Sequence, residues 1–101
     1  MESNIRQEIE SAVLNRLLDH LRNQTEVQNI ELMIVADFCR NCLAKWYVAE
    51  ANQRDVELDY ATAQEFVYGM PYSLWKSLYQ TEATPEQVSA YEERQRKSAK
   101  S

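Results

Sequence analysis

The chain contains a single glycine, Gly69, among its 101 residues. Glycine-rich loops that bind phosphate need several glycines for tight turns and close backbone approach, so P-loop and dinucleotide-binding sites are excluded. All-β folds also use glycine at many of their turns. Apolar residues nevertheless make up 45% of the sequence, which is enough for a packed core. These numbers favour one helical domain.

Apolar residues recur at steps of three and four along most of the sequence, which is the spacing of one helical face. No stretch alternates apolar and polar residues as a strand does. The spacing predicts five helices, at about residues 4–22, 26–49, 60–68, 71–79 and 85–96. We therefore expect an all-α fold, a compact single-domain array of about five helices over residues 1–93. The second helix is the most apolar, and whether it continues through Asp37 is left open.

Local signals mark several helix ends. The segments Thr25–Gln28 and 84–87 both match a capping box, in which the first and fourth residues satisfy each other's backbone amides. Asp59 is expected to cap the third helix. Gly69 stands where a left-handed residue ends that helix, and Pro71 opens the next one.

Charge is distributed unevenly along the chain, which carries a formal net charge of −5. Residues 94–101 hold four basic residues and no acid, and we expect them to form a frayed tail. The acidic body repels phosphates, so nucleic acid is not an expected partner.

The N-terminus lacks a signal peptide pattern and the longest apolar run has five residues, so we expect a cytoplasmic protein without a membrane span.

Cys39 and Cys42 form a Cys-x-x-Cys pair, and residues three apart share one face of a helix. As free cysteines they are readily accommodated in a core. As a redox pair they need a helix that starts near Asp37 or Phe38, because a helix N-terminus favours the thiolate. As metal ligands they would bind zinc together with His20 and Asp37, although no second cysteine or histidine pair completes a strong zinc motif. No cofactor is expected, with zinc as the one possible exception.

Two further features bear on function. Four aromatic residues are spaced by four, three and four positions and predict either a core corner or a groove for a protein partner; they are Tyr68, Tyr72, Trp75 and Tyr79. Arg40 lies between the cysteines, and we expect it at the helix edge because arginine is rarely buried.

Several strings together resemble a known family. They are Thr25-Glu-Val-Gln-Asn-Ile-Glu-Leu-Met, Phe38-Cys-Arg-Asn-Cys-Leu and Val67-Tyr-Gly-Met-Pro-Tyr. The sequence resembles DUF1244, a family of small uncharacterised bacterial proteins, over roughly residues 15–90. The resemblance implies a helical array and a bacterial origin, and it implies no activity.

The residues favour a non-enzymatic protein-interaction module, because no catalytic set is recognisable. The alternative is a metal-binding or thiol-redox sensor built on Cys39 and Cys42 with His20. An enzyme using the same cluster is the weakest hypothesis, because catalysis needs a second acid, base or nucleophile within reach. The oligomeric state is left open.

Overall fold

A computed structural model of the chain describes residues 1–100. This part of the chain contains six α-helices and no strand, so the all-α prediction is confirmed, with six helices in place of about five. The helices are α1 (Ser3–Arg22), α2 (Asn29–Ala36), α3 (Arg40–Gln53), α4 (Tyr60–Tyr68), α5 (Tyr72–Tyr79) and α6 (Pro85–Lys100).

The additional helix arises from a break in the predicted second helix. Asp37 adopts a left-handed conformation with φ 58°, and Cys39 is extended with φ −144° and ψ 179°. Asp is one of the few residues apart from glycine that visits the left-handed region. The chain turns at this Asp37 corner, so α2 ends at Ala36 and α3 begins at Arg40.

Most of the capping predictions are confirmed. The Thr62 amide donates to Asp59 at 2.7 Å, and Thr84 and Gln87 form the reciprocal bonds of a capping box. The box predicted at Thr25 is not formed, because α2 begins later, at Asn29. Gln28 is the N-cap instead, and its side-chain amide bridges to the backbone of residues 79 and 81.

Gly69 ends α4 in the left-handed conformation with φ 75°, as predicted. A side chain at this position would also lie only 3.0 Å from two side-chain atoms of Arg22. Arg22 approaches closely because its guanidinium donates to the carbonyls of Phe66 and Val67 near the end of α4. Backbone conformation and space therefore both require the one glycine here.

The core forms around α4, which packs against α3, α5 and the last turns of α1, while α6 packs against α2. The core cluster consists of buried residues from these helices: Leu18, Ala44, Ala63, Val67, Tyr68 and Trp75. In contrast, every residue from 1 to 17 is exposed. The radius of gyration is 15.5 Å, against about 13 Å for a compact chain of this length, since most of α1 projects from the core.

The basic segment predicted as a frayed tail from residue 94 is part of α6, which continues through Lys100. Gln95 and Ser98 both donate hydrogen bonds to the Asp37 carboxylate, so this end of α6 contacts the corner between α2 and α3. Ser101 lies outside the described residues. No helix in residues 1–100 is long and apolar enough to cross a membrane.

Candidate functional site

The two cysteines meet at the start of α3. Cys39 is the N-cap of this helix and Cys42 lies three residues further, within its first turn. The two sulfur atoms are 3.5 Å apart and both residues are half-buried free thiols. The helix starts at Arg40, one residue after the first cysteine and later than the start near Asp37 or Phe38 that the redox interpretation required.

Contacts from two sides hold this helix start in place. The Asp37 carboxylate accepts from the Ser98 hydroxyl at 2.5 Å and from the Gln95 amide at 3.1 Å. These hydrogen bonds, that of Ser98 above all, lower the pKa of Asp37. On the other side, the Arg40 amide donates to the Asn29 side chain at 3.2 Å, which joins the start of α3 to the start of α2.

The surroundings of the Cys39 sulfur act on its pKa in opposite directions. Burial disfavours the thiolate and raises the pKa, and this is the largest effect. The nearby Cys42 thiol raises it further, whereas the backbone amides of Cys42 and Asn41 hydrogen-bond the sulfur and lower it. The pKa of Cys39 lies above that of an ordinary thiol as a result, which corrects the expectation that the helix start favours the Cys39 thiolate.

Arg40 is buried, with 1% of its surface exposed, and this corrects the prediction of a helix-edge position. Its guanidinium donates to the Val27 carbonyl at 2.8 Å, the Gln24 carbonyl at 2.9 Å and the Asn29 side chain at 3.1 Å. Its central carbon also lies 4.9 Å from the ring centre of Trp75. Arg40 therefore joins the connection between α1 and α2 to α3 and α5, and its burial lowers its pKa.

A second polar group lies beside Arg40. The buried Tyr68 hydroxyl donates to Asn41 at 2.8 Å and accepts from Asn29 at 3.0 Å, and Gln64 donates to Asn41 at 3.1 Å. Burial raises the pKa of Tyr68. These side chains satisfy one another, so the network accounts for polar residues inside the core without a ligand.

The four residues proposed as metal ligands are not brought together. Among residues 1–100, no three His, Cys, Asp or Glu side chains lie close enough to hold a metal ion. His20 is exposed near the end of α1, and Asp37 is engaged with α6. Two thiols alone do not make the four-ligand set that zinc prefers, so the donor set present does not fit zinc.

The four aromatic residues singled out in the sequence, which we call the aromatic stripe, mostly pack into the core. Tyr68 and Trp75 are buried, with 3% and 2% of their surface exposed, and their ring centres are 5.1 Å apart. Tyr72 and Tyr79 are half-buried, at 5.2 Å from Tyr68 and 5.8 Å from Trp75. A partner could reach only the edges of Tyr72 and Tyr79, and partner binding by this stripe stays a prediction.

An apolar groove lies between α1, α3 and α4, and sequence reasoning missed it. We call it the α1 groove; its volume is about 580 Å³. Its wall is mostly apolar and includes Leu14, Leu18, Leu43, Trp46, Tyr47, Val56, Leu58 and Phe66. Trp46 and Val56 are 55% and 53% exposed. Trp46 and Tyr47 lie in the predicted second helix, and the high apolar content of that helix was the one signal in the sequence.

Comparison with known protein families identifies a match over most of the chain. The family model described as "Protein of unknown function (DUF1244)" matches residues 27–93, which includes both cysteines, Arg40 and the aromatic corner. No curated protein matches the chain.

Proposed function

The chain belongs to the DUF1244 family of proteins of unknown function, and on that premise we propose that it is a thiol-disulfide switch in which Cys39 and Cys42 close reversibly to a disulfide. The observation that carries the proposal is the pair of free sulfurs 3.5 Å apart across the first turn of α3. A disulfide bond is about 2.05 Å long, so closure requires the sulfurs to approach by about 1.5 Å. Rotation of the two side chains is the motion that brings this about.

The position of Cys39 makes closure compatible with the helix. A disulfide inside a continuous helix would distort the backbone. Cys39 is extended and lies outside the helical turns, so only Cys42 belongs to the helix proper. The Asp37 corner that breaks α2 from α3 therefore creates a place where this spacing of cysteines can be bridged.

The reaction is an exchange with a small disulfide such as oxidised glutathione. The Cys39 thiolate attacks one glutathione sulfur, a mixed disulfide forms, and one glutathione leaves as a thiolate. The Cys42 thiolate then attacks the Cys39 sulfur and displaces the second glutathione. The protein gives up two thiol protons and two electrons, and one glutathione disulfide becomes two thiols.

Burial of Cys39 slows the first step of the exchange. The thiolate is the attacking species, and burial raises the pKa of Cys39 and so disfavours the thiolate. We therefore expect the exchange to be slow near neutral pH and to become faster as the pH rises.

We expect wild-type protein in glutathione buffers of increasing oxidising power to show one transition to an internal disulfide. After rapid blocking of free thiols, mass spectrometry should find the oxidised chain unlabelled and lighter by two hydrogen atoms. Cys39→Ser and Cys42→Ser each leave one thiol, because the chain has only two cysteines. Each variant should stop at a mixed disulfide with glutathione. Wild-type chains that also stop there, or that stay reduced throughout, would contradict the proposal.

The rate of Cys39 alkylation should depend on pH in a direction set by burial. In the Cys42→Ser variant, the rate of reaction with iodoacetamide should keep rising to a higher pH in the folded protein than in the unfolded chain. The physical reason is that the thiolate reacts and burial disfavours it. The same variant unfolded in urea supplies the control and should level off near the ordinary pKa. A folded protein that levels off at or below the unfolded one would be inconsistent with a buried thiol.

The metal content of the wild-type protein tests the zinc-binding alternative. Elemental analysis of protein purified without a histidine tag should show no stoichiometric metal, since no third ligand lies beside the two thiols within residues 1–100. Stoichiometric zinc that blocks both thiols until a chelator is added would favour the metal-binding alternative instead.

A further inference from the structure

An apolar row on α1 is left uncovered by the rest of the chain. The row repeats every four residues and its members are 41–62% exposed: Ile5, Ile9, Val13 and Leu17. A row of this spacing is the ridge with which helices pack against one another. The apolar spacing places these residues on one face of the helix, and among residues 1–100 nothing covers this face until Leu18 enters the core.

The base of the row adjoins the α1 groove. Leu14 and Leu18 line the groove from α1, and Trp46 and Val56 line it from the opposite side. A volume of about 580 Å³ equals that of about twenty water molecules, so the groove can take several aliphatic side chains. The chain therefore carries a ridge and a groove next to each other, both apolar and both open.

The total exposed surface is also larger than that of a stable monomer. The chain exposes 7301 Å², whereas a monomer of 11.9 kDa is expected to expose about 5,900 Å². The excess is about 1,400 Å², and a standard interface buries about 800 Å² on each partner. A second copy seated on this side would remove about 800 Å² of exposed surface from each chain, more than half of this excess.

We propose that the chain forms a two-fold symmetric dimer in which the α1 helices run antiparallel and each apolar row seats in the partner's α1 groove. A two-fold axis requires the same patch on both copies, and a ridge beside a groove is complementary to itself. Antiparallel pairing brings the tip of each α1, with Ile5 and Ile9, beside the base of the other helix, where the groove opens.

Charge on α1 supports the antiparallel direction. The first half of the helix and its N-cap carry three glutamates, Glu2, Glu8 and Glu10, against one arginine, Arg6. The second half carries two arginines, Arg16 and Arg22, against Asp19. Antiparallel pairing sets the acidic half against the basic half and opposes the two helix dipoles. Parallel pairing would place like charges together.

The test is sedimentation equilibrium of the full chain over a range of concentrations, with a reductant present so that no disulfide links the copies. The wild type should approach twice the chain mass of 11.9 kDa. Ile9→Glu places a charge in the contact twice, once from each copy, and should raise the dissociation constant by about 100-fold or more. Because Ile9 is exposed in the single chain, the variant should keep its helical circular dichroism.

The matched control is Ser77→Glu, which adds the same charge at an exposed position on α5, outside both α1 and the α1 groove. This variant should remain dimeric. Val56→Glu tests the groove and should also dissociate the dimer, since Val56 lines the groove but lies on no part of α1. A wild type that stays monomeric, or equal dimerisation of the Ile9 and Ser77 variants, would overturn the proposal. A Val56 variant that dimerises like the wild type would overturn the seating of the row in the groove.

Discussion

Replacing Arg40 with alanine is expected to lower the free energy of unfolding by about 3–5 kcal/mol, because it leaves several buried groups without a partner. The guanidinium donates to the carbonyls of Gln24 and Val27 and to Asn29, inside a site where it is only 1% exposed. Removing it leaves these oxygens unsatisfied and opens a cavity against the Trp75 ring. Urea unfolding followed by far-ultraviolet circular dichroism measures the loss.

Two further variants separate the causes of this loss. Arg54→Ala is the matched control, because Arg54 is exposed and its guanidinium contacts only the carbonyl and carboxylate of Glu50 at the surface, so it should cost less than about 1 kcal/mol. Arg40→Lys keeps the charge but cannot reproduce the planar fork of donors, and we expect an intermediate loss. If Arg40→Ala were as mild as Arg54→Ala, the buried guanidinium would not be what joins the α1–α2 connection to α3.

Replacing Trp75 with alanine is expected to cost about 3–5 kcal/mol, the usual range for deleting a buried aromatic side chain. Trp75 is 2% exposed, and its ring contacts Tyr68, Tyr79 and the guanidinium of Arg40. The substitution creates a cavity at the centre of the core and removes the aromatic face over which Arg40 is placed. The same urea unfolding measurement applies.

The chain supplies its own control for this substitution. Trp46 is 55% exposed, so Trp46→Ala should cost less than about 1 kcal/mol when measured at a concentration low enough for the single chain. Combining Trp75→Ala with Arg40→Ala should cost less than the sum of the two single losses, since the residues contact each other. A strictly additive pair would show that the contact between them contributes nothing.

Helix ends that depend on neighbouring residues could be predicted from the sequence. Asp59 caps α4 through the Thr62 amide, and Thr84 and Gln87 bond each other across one turn. Gly69 likewise ends α4 by its own conformational freedom. In each case the interacting residues lie within a few positions of each other, so a short stretch of sequence is enough to predict the interaction.

The break at the Asp37 corner could not be predicted, because its determinants are distant. The apolar pattern continues across Asp37, and the hydrogen bonds to its carboxylate come from Gln95 and Ser98, 58 and 61 residues further along. The spacing of Cys39 and Cys42 did predict that the two thiols share a side. The proposed function depends on their position at a helix start. That position exists only because the chain breaks between α2 and α3, so the cysteine spacing alone did not predict it.

The spacing of residues along the sequence also could not predict which side chains are buried. Arg40 was expected at a helix edge, because nothing in its local sequence shows that the carbonyls of the α1–α2 connection would converge on it. The apolar row of α1 was correctly identified as a helical face. Periodicity shows that such a face exists, but it does not say whether the same chain or another one covers it.

The contact between α6 and the Asp37 corner has a consequence for how the protein is made. Gln95 and Ser98 follow Asp37 by 58 and 61 residues, so their hydrogen bonds to the corner cannot form until α6 has left the ribosome. Before then, the hydrogen bond from the Arg40 amide to Asn29 can hold the start of α3, but the contact with α6 is missing. The arrangement that brings the two sulfurs together is therefore completed only after α6 is available.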